Sequence, residues 1–341
     1  MIWIDDPQQL AEFCEELRRF PSVAVDTESD QFHSYRAVTC LIQVASPETT
    51  ALVDPLAMTE DEMAPLLEIF EDPSVEKILH ACANDLVELD RDFGVKFANV
   101  FDTQIALKFL GYRRDALEWV LNKFANVRAQ KAYQRFDWRT RPVPAGACAY
   151  AAMDVDYLFM IRDRLVAELG EDGWLEAFEE HCTDIVRRTK YNEPVFKEEG
   201  WRKLRTRKEF SGRDKAILRE LYFYRHDLCL RVNRAAFMVI DNAALVRIAE
   251  KRPATRADMS GMRGLSDEVW EHYISEILDA VARGLDADIP PAKPAKKPGE
   301  GKRSTEGEKA RYEKLRAWRN TMCQEEGWPF ELVTNNEMLW A

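Results

Sequence analysis

The sequence is short of the features that mark secreted, zinc-binding and membrane proteins. Its seven cysteines are scattered and never form a C-x-x-C pair, which argues against a disulfide framework and against a zinc site. No run approaches the roughly 18–20 apolar residues of a membrane span, and the N-terminus lacks a basic segment followed by an apolar stretch. We therefore expect a cytoplasmic protein with reduced thiols and no membrane partner.

A positive net charge is also missing. The 341 residues carry 48 Lys+Arg against 60 Asp+Glu, and a net charge of −12 normally argues against a nucleic-acid partner. The charge is uneven, however, because residues 1–100 hold 21 acidic and 6 basic side chains whereas residues 201–300 hold 15 and 20. A chain of 341 residues is longer than a single domain usually is, so we expect two or more domains. An acidic first part joined to a mildly basic later part is typical of an acidic site beside a module that binds polyanions.

Hydrophobic periodicity predicts an α/β region followed by helices. Three β-rich runs come first, at residues 22–26, 39–45 and 50–55. The short turn at 46–48 predicts a hairpin, and helices alternate with short strands from about residue 59, as in an α/β layer with a mixed sheet. One long helix is expected from about 147 to 169. From residue 210 onward the pattern is all helical.

Acidic residues recur where such a sheet would bring them together. Asp26 and Glu28 are two residues apart on a strand and so share a face, where they repel unless a cation such as Mg²⁺ or Mn²⁺ lies between them. A strand that ends in solvent, with acidic residues at its tip, would account for this pair equally well. Asp85 begins a helix after a strand, although favourable interaction with the helix dipole also accounts for it. Tyr150 and Asp154 share one face of an alanine-rich helix that can approach a sheet closely.

Three motifs carry a family resemblance. Residues 26–28 (DTE), 84–86 (NDL) and 150–155 (YAAMDV) resemble, in this order, the exonuclease motifs of the DEDD superfamily. The Tyr-x-x-x-Asp form of the third motif resembles that of the superfamily's tyrosine branch. Within this branch, the sequence is most similar to the ribonuclease D family. The resemblance implies an α/β fold, with an RNase H-like mixed-sheet exonuclease domain followed by an all-α HRDC-like helical domain.

The resemblance also implies an activity. It assigns Asp26, Glu28, Asp85 and Asp154 as ligands of two divalent ions, Mg²⁺ or Mn²⁺, and Tyr150 as the residue that orients the attacking water. The expected enzyme is a metal-dependent 3′→5′ exoribonuclease that releases nucleoside 5′-monophosphates. The implied partners are tRNA precursors or other RNAs with 3′ extensions.

Two alternatives stay open at this stage. A 3′→5′ exodeoxyribonuclease of the same superfamily would carry the same carboxylates, and the groups that meet a 2′-hydroxyl are not identifiable in sequence. A non-catalytic nucleic-acid-binding protein with a relic exonuclease fold is the other, against which the five intact site residues argue. The physiological RNA, the preferred metal and the oligomeric state are likewise undetermined.

Other positions are weaker candidates for substrate binding. His80 ends a strand and either contacts substrate or is structural, while Asp102 is interpreted as a helix cap. The loop before the catalytic helix is rich in basic residues that are either solvated or contact the RNA backbone. They are Lys131, Arg135, Arg139 and Arg141.

The later part of the chain resembles an HRDC domain. The resemblance rests on residues 218–221 (LREL), 241–245 (DNAAL) and 249–253 (AEKRP). Residues 196–234 hold twelve Lys/Arg against six acids, which is either a solvated face or a surface that follows phosphates. Within it, the predicted RNA-binding residues are Arg202, Arg205 and Arg207.

These observations predict five segments. They are an exonuclease domain at 1–195, a basic connector at 196–209, an HRDC-like domain at 210–285, a flexible linker at 286–308 and a partial second HRDC-like repeat at 309–341. The last segment is too short to bury a core alone. Either its tryptophans pack against the first HRDC-like module, or the repeat is truncated.

Overall fold

The computed structural model describes residues 1–128, 132–204, 209–291, 305–328, 333–334 and 338–340. The chain divides into two compact units. The first contains residues 1–29, 38–192 and 302–341, and the second contains residues 30–37 and 193–301. The short segment 30–37 therefore leaves the predicted exonuclease domain. In the second unit the Tyr35 hydroxyl lies 2.7 Å from Nδ1 of His226, and the Arg36 N–H donates to Oδ1 of Asn233 at 2.8 Å.

A mixed six-stranded sheet forms the centre of the first unit. Its strands are Ile2–Ile4 (β1), Ser22–Ser29 (β2), Thr39–Ala45 (β3), Thr50–Val53 (β4), Glu76–Leu79 (β5) and Val100–Asp102 (β6). They lie in the order β1-β4-β3-β2-β5-β6. The antiparallel β3–β4 pair confirms the predicted hairpin. Since β2, β5 and β6 are mutually parallel, their carboxyl ends meet at one edge of the sheet.

Helices cover this sheet on both faces. In chain order they are Pro7–Leu17 (α1), Glu60–Glu71 (α2), Ala83–Phe93 (α3), Thr103–Phe109 (α4), Leu117–Val120 (α5), Ala145–Asp156 (α6), Leu158–Glu171 (α7) and Leu175–Arg188 (α8). Local chemistry sets their starts: the Asp6 side chain caps α1, and Thr59 with Glu62 forms a capping box at α2. Along the described ranges, no helix is long and apolar enough to cross a membrane.

The prediction of one helix over 147–169 is wrong, because α6 and α7 are separate helices. Tyr157 lies between them with φ −106° and ψ −2°. The apolar spacing of Val155, Leu158 and Ile161 continues across this break, and all three are buried. Periodicity alone therefore could not reveal where the first helix ends.

The alanine-rich surface of α6 lies close to the sheet, as its composition predicts. Ala147 and Ala151 are fully buried and belong to one cluster with Leu41 of β3, Leu52 of β4 and Trp138. A methyl side chain keeps the helix backbone near the strands. This close approach brings the carboxyl-terminal half of α6 to the sheet edge at which β2 ends.

The second unit is helical and has its own core. Its helices are Gly212–Val232 (α9), Ala236–Val239 (α10), Asn242–Lys251 (α11), Asp267–His272 (α12) and Ile274–Asp286 (α13). Leu221, Leu245 and Ile277 are fully buried in one apolar cluster. A Cβ on Gly284 would clash with the Ile217 Cα, so only glycine permits this close contact of α13 with α9. The mixed sheet and this helical unit confirm the predicted fold class.

The last helix, Glu306–Glu326 (α14), groups with the first unit. The ring of Trp328, just after α14, meets that of Trp174 edge-on at 5.1 Å between centroids. This placement differs from a repeat packed on the HRDC-like module, and the assignment of 309–341 as a second repeat stays a prediction. Of the predicted linker 286–308, residues 292–304 lie outside the described residues.

Candidate active site

Three carboxylates converge at the carboxyl end of β2. Asp26 and Glu28 point to the same face of that strand, and Asp154 reaches them from the last turns of α6. Each offers a carboxylate oxygen, and these oxygens all lie within 4.8 Å of one another. The structure therefore brings together the first and third motifs that the sequence analysis identified.

Asp85 reaches the same place from the first turn of α3. It is buried, and its Oδ1 accepts a hydrogen bond of 2.5 Å from the Thr27 hydroxyl. Thr27, between the two strand carboxylates, therefore holds the carboxylate of the second motif in position. This role of Thr27 was not predicted from sequence, although the DTE motif itself contains the residue.

A fifth carboxylate, also not predicted from sequence, lies one turn further along α3. Glu88 is buried, and its Oε1 accepts a 2.9 Å hydrogen bond from the Ser29 hydroxyl. The spacing of three residues from Asp85 was the available signal, because residues i and i+3 share a helix face. Two hydroxyls of β2 thus bind two acids of α3.

Burial and mutual repulsion raise the pKa values of the four predicted ligands. The pKa of Asp26 is raised well above its usual range by burial and then by the neighbouring carboxylates. Burial, with the charges of Asp154 and Asp85, raises the pKa of Glu28 to about 9. Burial raises the pKa of Asp85 to about 7, against the lowering effect of the Thr27 hydrogen bond. Burial and the Asp85 charge raise the pKa of Asp154 to about 7.

This donor set fits a divalent cation. Within the described residues, no Lys or Arg forms an ion pair with the four carboxylates. Clustered carboxylate oxygens without a basic partner are the ligands that hard ions such as Mg²⁺ and Mn²⁺ prefer. The raised pKa values show what the cluster costs when no cation neutralises it.

Tyr150 stands beside the cluster, one helical turn before Asp154. Its ring packs at 6.0 Å from the Tyr133 ring and at 6.3 Å from the Trp138 ring, centroid to centroid. Burial, followed by the charge of Asp154, raises the pKa of its hydroxyl above the usual range. Tyr150 therefore stays protonated at neutral pH and can act only as an oriented donor or acceptor of hydrogen bonds.

Arg141, predicted to contact the RNA backbone, is instead occupied by the protein. Nε and Nη2 each donate to the Asp54 carboxylate at 2.6 Å, and Nη2 also donates to the Cys40 carbonyl at 2.7 Å. Nη1 donates to the carbonyls of Trp138 and Thr140 at 2.7 and 3.0 Å. All five N–H donors are used, so none remains for a phosphate. The guanidinium ties the basic loop to the end of β4.

The other basic residues of the loop lie at the surface or outside the described residues. Arg135 and Arg139 are exposed, each with an interaction partner, and Lys131 lies outside the described residues. Their predicted contacts with RNA stay predictions.

His80 and Asp102 hold the adjacent strand ends. The His80 Nδ1 lies 2.9 Å from the Thr103 hydroxyl, and burial lowers the pKa of this imidazole. The Asp102 side chain accepts from the N–H groups of Gln104 and Ile105, so it caps α4 as predicted. These contacts favour the structural interpretation of His80 over the substrate-contacting one.

The basic segment of the second unit is described only in part. Arg202 pairs with Glu199, and its guanidinium carbon lies 4.3 Å from the centre of the Trp201 ring. Arg205 and Arg207 lie outside the described residues. Their contact with RNA stays a prediction.

Comparison with known proteins identifies the family. A family model described as 3′-5′ exonuclease matches residues 1–170, and a second, described as HRDC domain, matches residues 214–281. Ribonuclease D of Escherichia coli (strain K12) is 33% identical over 276 residues, which cover 80% of this chain and 71% of that protein. The chain belongs to the ribonuclease D family. Exonucleases of this superfamily use divalent metal ions.

Solved structures agree with this assignment. The crystal structure of Escherichia coli RNase D superposes with a TM-score of 0.67 at 27% identity, covering 99% of this chain and 88% of that one. The catalytic core of RRP6 from Trypanosoma brucei gives a TM-score of 0.76 at 25% identity, covering 84% and 79%. Exosome complex exonuclease RRP6 of Saccharomyces cerevisiae is 31% identical over 284 residues, 80% of this chain. The match spans only 38% of that protein's length.

The raised pKa values predict an unusual dependence of stability on pH. In chelator, the folded site retains protons that the unfolded chain, with Asp near 3.9 and Glu near 4.3, has already lost. Stability should therefore decline as pH rises from about 5 to about 9. Each retained proton lowers the free energy of unfolding by about 1.4 kcal/mol per pH unit, which corresponds to roughly 3–5 °C in Tm. Mn²⁺ should raise Tm more at the upper end of that range, since its ligands must be deprotonated.

Scanning calorimetry with EDTA or Mn²⁺ measures both effects. Glu28→Gln should flatten the decline of Tm with pH. A Tm in EDTA that rises over this range would contradict the assigned cluster.

Proposed function

We propose that this chain is a metal-dependent 3′→5′ exoribonuclease that releases nucleoside 5′-monophosphates from RNAs with 3′ extensions, such as tRNA precursors. The observation that carries the proposal is the convergence of Asp26, Glu28 and Asp154 within 4.8 Å, with Asp85 held beside them by Thr27. Support for RNA comes from the family, since Escherichia coli RNase D is described as an exoribonuclease involved in structured RNA processing.

The four carboxylates would hold two divalent ions, Mg²⁺ or Mn²⁺, whose four positive charges they balance. Bound there, such ions supply an acidified water and neutralise charge on the leaving oxygen. The protein's own part is to fix the ligands: β2 presents Asp26 and Glu28, while α3 and α6 present Asp85 and Asp154. The hydrogen bond from Thr27 keeps the α3 carboxylate oriented.

Tyr150 has a separate task in this proposal. Because its hydroxyl stays protonated, it does not remove a proton from water but orients the water for attack on phosphorus. A bond from the water oxygen to phosphorus forms and the bond from phosphorus to the 3′ oxygen breaks. The terminal nucleotide leaves with a 5′ phosphate, and the shortened strand keeps a free 3′-hydroxyl.

A strand-degradation assay tests the proposal. Single-stranded RNA labelled at its 5′ end, and a DNA of matched sequence, would be incubated with the protein and Mg²⁺, Mn²⁺ or EDTA. We expect a ladder of RNA shortened one nucleotide at a time, abolished by EDTA. Internal cuts, a clear preference for DNA, or full activity in EDTA would refute the proposed reaction.

A further inference from the structure

A cavity of about 620 Å³ opens in the segment that follows α4 in the first unit. Its lining includes three arginines, Arg113, Arg114 and Arg128, together with Trp119. All three arginines are exposed, and none forms an ion pair with any residue that the structure describes. A concave surface with three uncommitted guanidinium groups suits an anionic ligand.

The two acids of this cavity do not cancel its charge. The Asp115 carboxylate pairs with Nζ of Lys108 at 3.6 Å, and Glu118 also has an interaction partner. Among the residues that the structure describes, the three arginines are therefore the cavity charges left available to a ligand. This distinguishes the cavity from the catalytic cluster, where the uncompensated charges are negative.

One lining residue of the cavity, Asp115, lies against His80, which follows β5, the strand beside β2. Strand β6, which leads into α4, is separated from β2 only by β5, so its end is about 10 Å along the sheet edge. His80 connects this edge to the cavity, because its ring bonds to Thr103 at the start of α4 and lies against the backbone of Asp115. A strand that left the carboxylates past the ends of β5 and β6 would approach the cavity at Asp115.

Trp119 adds a surface of a different kind. Its ring is held by Tyr112 and Phe124, with centroids at 5.9 and 6.4 Å, and Nζ of Lys123 lies 5.6 Å from its centre. Proteins that bind single-stranded nucleic acids combine a fixed aromatic ring with cationic side chains, because bases stack on the ring and phosphates pair with the cations. A small inorganic anion would use only the arginines.

Resting on the proposed function, we propose that Arg113, Arg114, Arg128 and Trp119 form an upstream pocket that binds the RNA strand on the 5′ side of the scissile bond. The arginines hold phosphates there and the indole stacks on a base. The pocket makes substrate affinity depend on length, because only a strand that spans from the carboxylates to the pocket gains these contacts. Short products lose them and dissociate.

A double charge reversal, Arg113→Glu with Arg114→Glu, tests the upstream pocket. Both side chains are exposed, so the fold should tolerate the change. Kinetics with Mn²⁺ would compare an RNA about ten nucleotides long with a dinucleotide. We expect KM for the longer RNA to rise about tenfold or more, with kcat/KM for the dinucleotide unchanged. The slope of log affinity against log salt should shrink by about 1.4, for two lost phosphate contacts.

The matched control is Arg187→Glu with Arg188→Glu, an adjacent exposed pair on α8 with the same change in net charge. If the control raises KM equally, or if the dinucleotide suffers as much as the longer RNA, the pocket has no such role. If the wild-type protein cleaves neither substrate, the proposed function fails instead. RNA binding by fluorescence anisotropy then still decides, since equal affinity of the variant and wild type would overturn the pocket.

Discussion

Asp26→Asn should lower kcat at least about 1,000-fold, a loss of about 4 kcal/mol in transition-state stabilisation, while making the metal-free protein more stable. Asp26 has three acidic neighbours, Glu28, Asp85 and Asp154. Replacing it with a neutral amide removes a metal ligand and also the repulsion that the folded site suffers without metal. Each kcal/mol of relieved repulsion corresponds to about 2–4 °C in Tm.

Opposite changes in activity and stability are the distinguishing result, because damage to the fold would lower both. Differential scanning calorimetry in EDTA and RNA hydrolysis in Mn²⁺ supply the two measurements. Asp163→Asn is the control, since Asp163 is exposed and pairs with Arg162 on the surface. An Asp26→Asn variant within tenfold of wild-type activity would remove this residue from the catalytic site.

Tyr150→Phe should lower kcat about 100-fold with little change in KM or in Mn²⁺ affinity. Phenylalanine keeps the ring that packs on Tyr133 and Trp138, so only the hydroxyl is lost. Without it, the attacking water is no longer oriented, although all four carboxylates remain. Single-turnover kinetics give the rate, and isothermal titration with Mn²⁺ gives the metal affinity.

Tyr157→Phe is a suitable comparison, because Tyr157 follows α6 directly and packs in a different apolar cluster from Tyr150. It should retain wild-type kinetics. Full activity of Tyr150→Phe would show that the hydroxyl orients nothing. A parallel loss of Mn²⁺ affinity would instead point to a role in the metal site.

The residues that meet at the candidate site could be foreseen, because local geometry decides their direction. Asp26 and Glu28 share a face because they are two residues apart on a strand. Tyr150 and Asp154 share a face because they are four residues apart on a helix. The small side chains of α6 likewise foretold its close approach to the sheet. Each of these relations is contained in a short stretch of chain, so the sequence by itself determined them.

Contacts between distant stretches had to come from the tertiary structure. Thr27 and Asp85 are 58 residues apart, and Asp54 and Arg141 are 87 apart. The periodicity of the sequence does not reveal such a pair. For this reason Arg141 was predicted to contact the RNA backbone, although its guanidinium binds Asp54 of the protein. The break at Tyr157 could not be predicted either, because the buried apolar residues keep helical spacing from α6 into α7.

The sequence alone thus determined which carboxylates share a face, and it predicted an acidic cluster for cations at the sheet edge and a separate helical module. Tertiary structure decided which arginines are committed to the fold and which remain available, because that depends on the side chains that folding brings beside each guanidinium. Arg141 is saturated by partners from three segments, whereas Arg113, Arg114 and Arg128 surround an open cavity. A count of charges along the chain cannot separate these two groups.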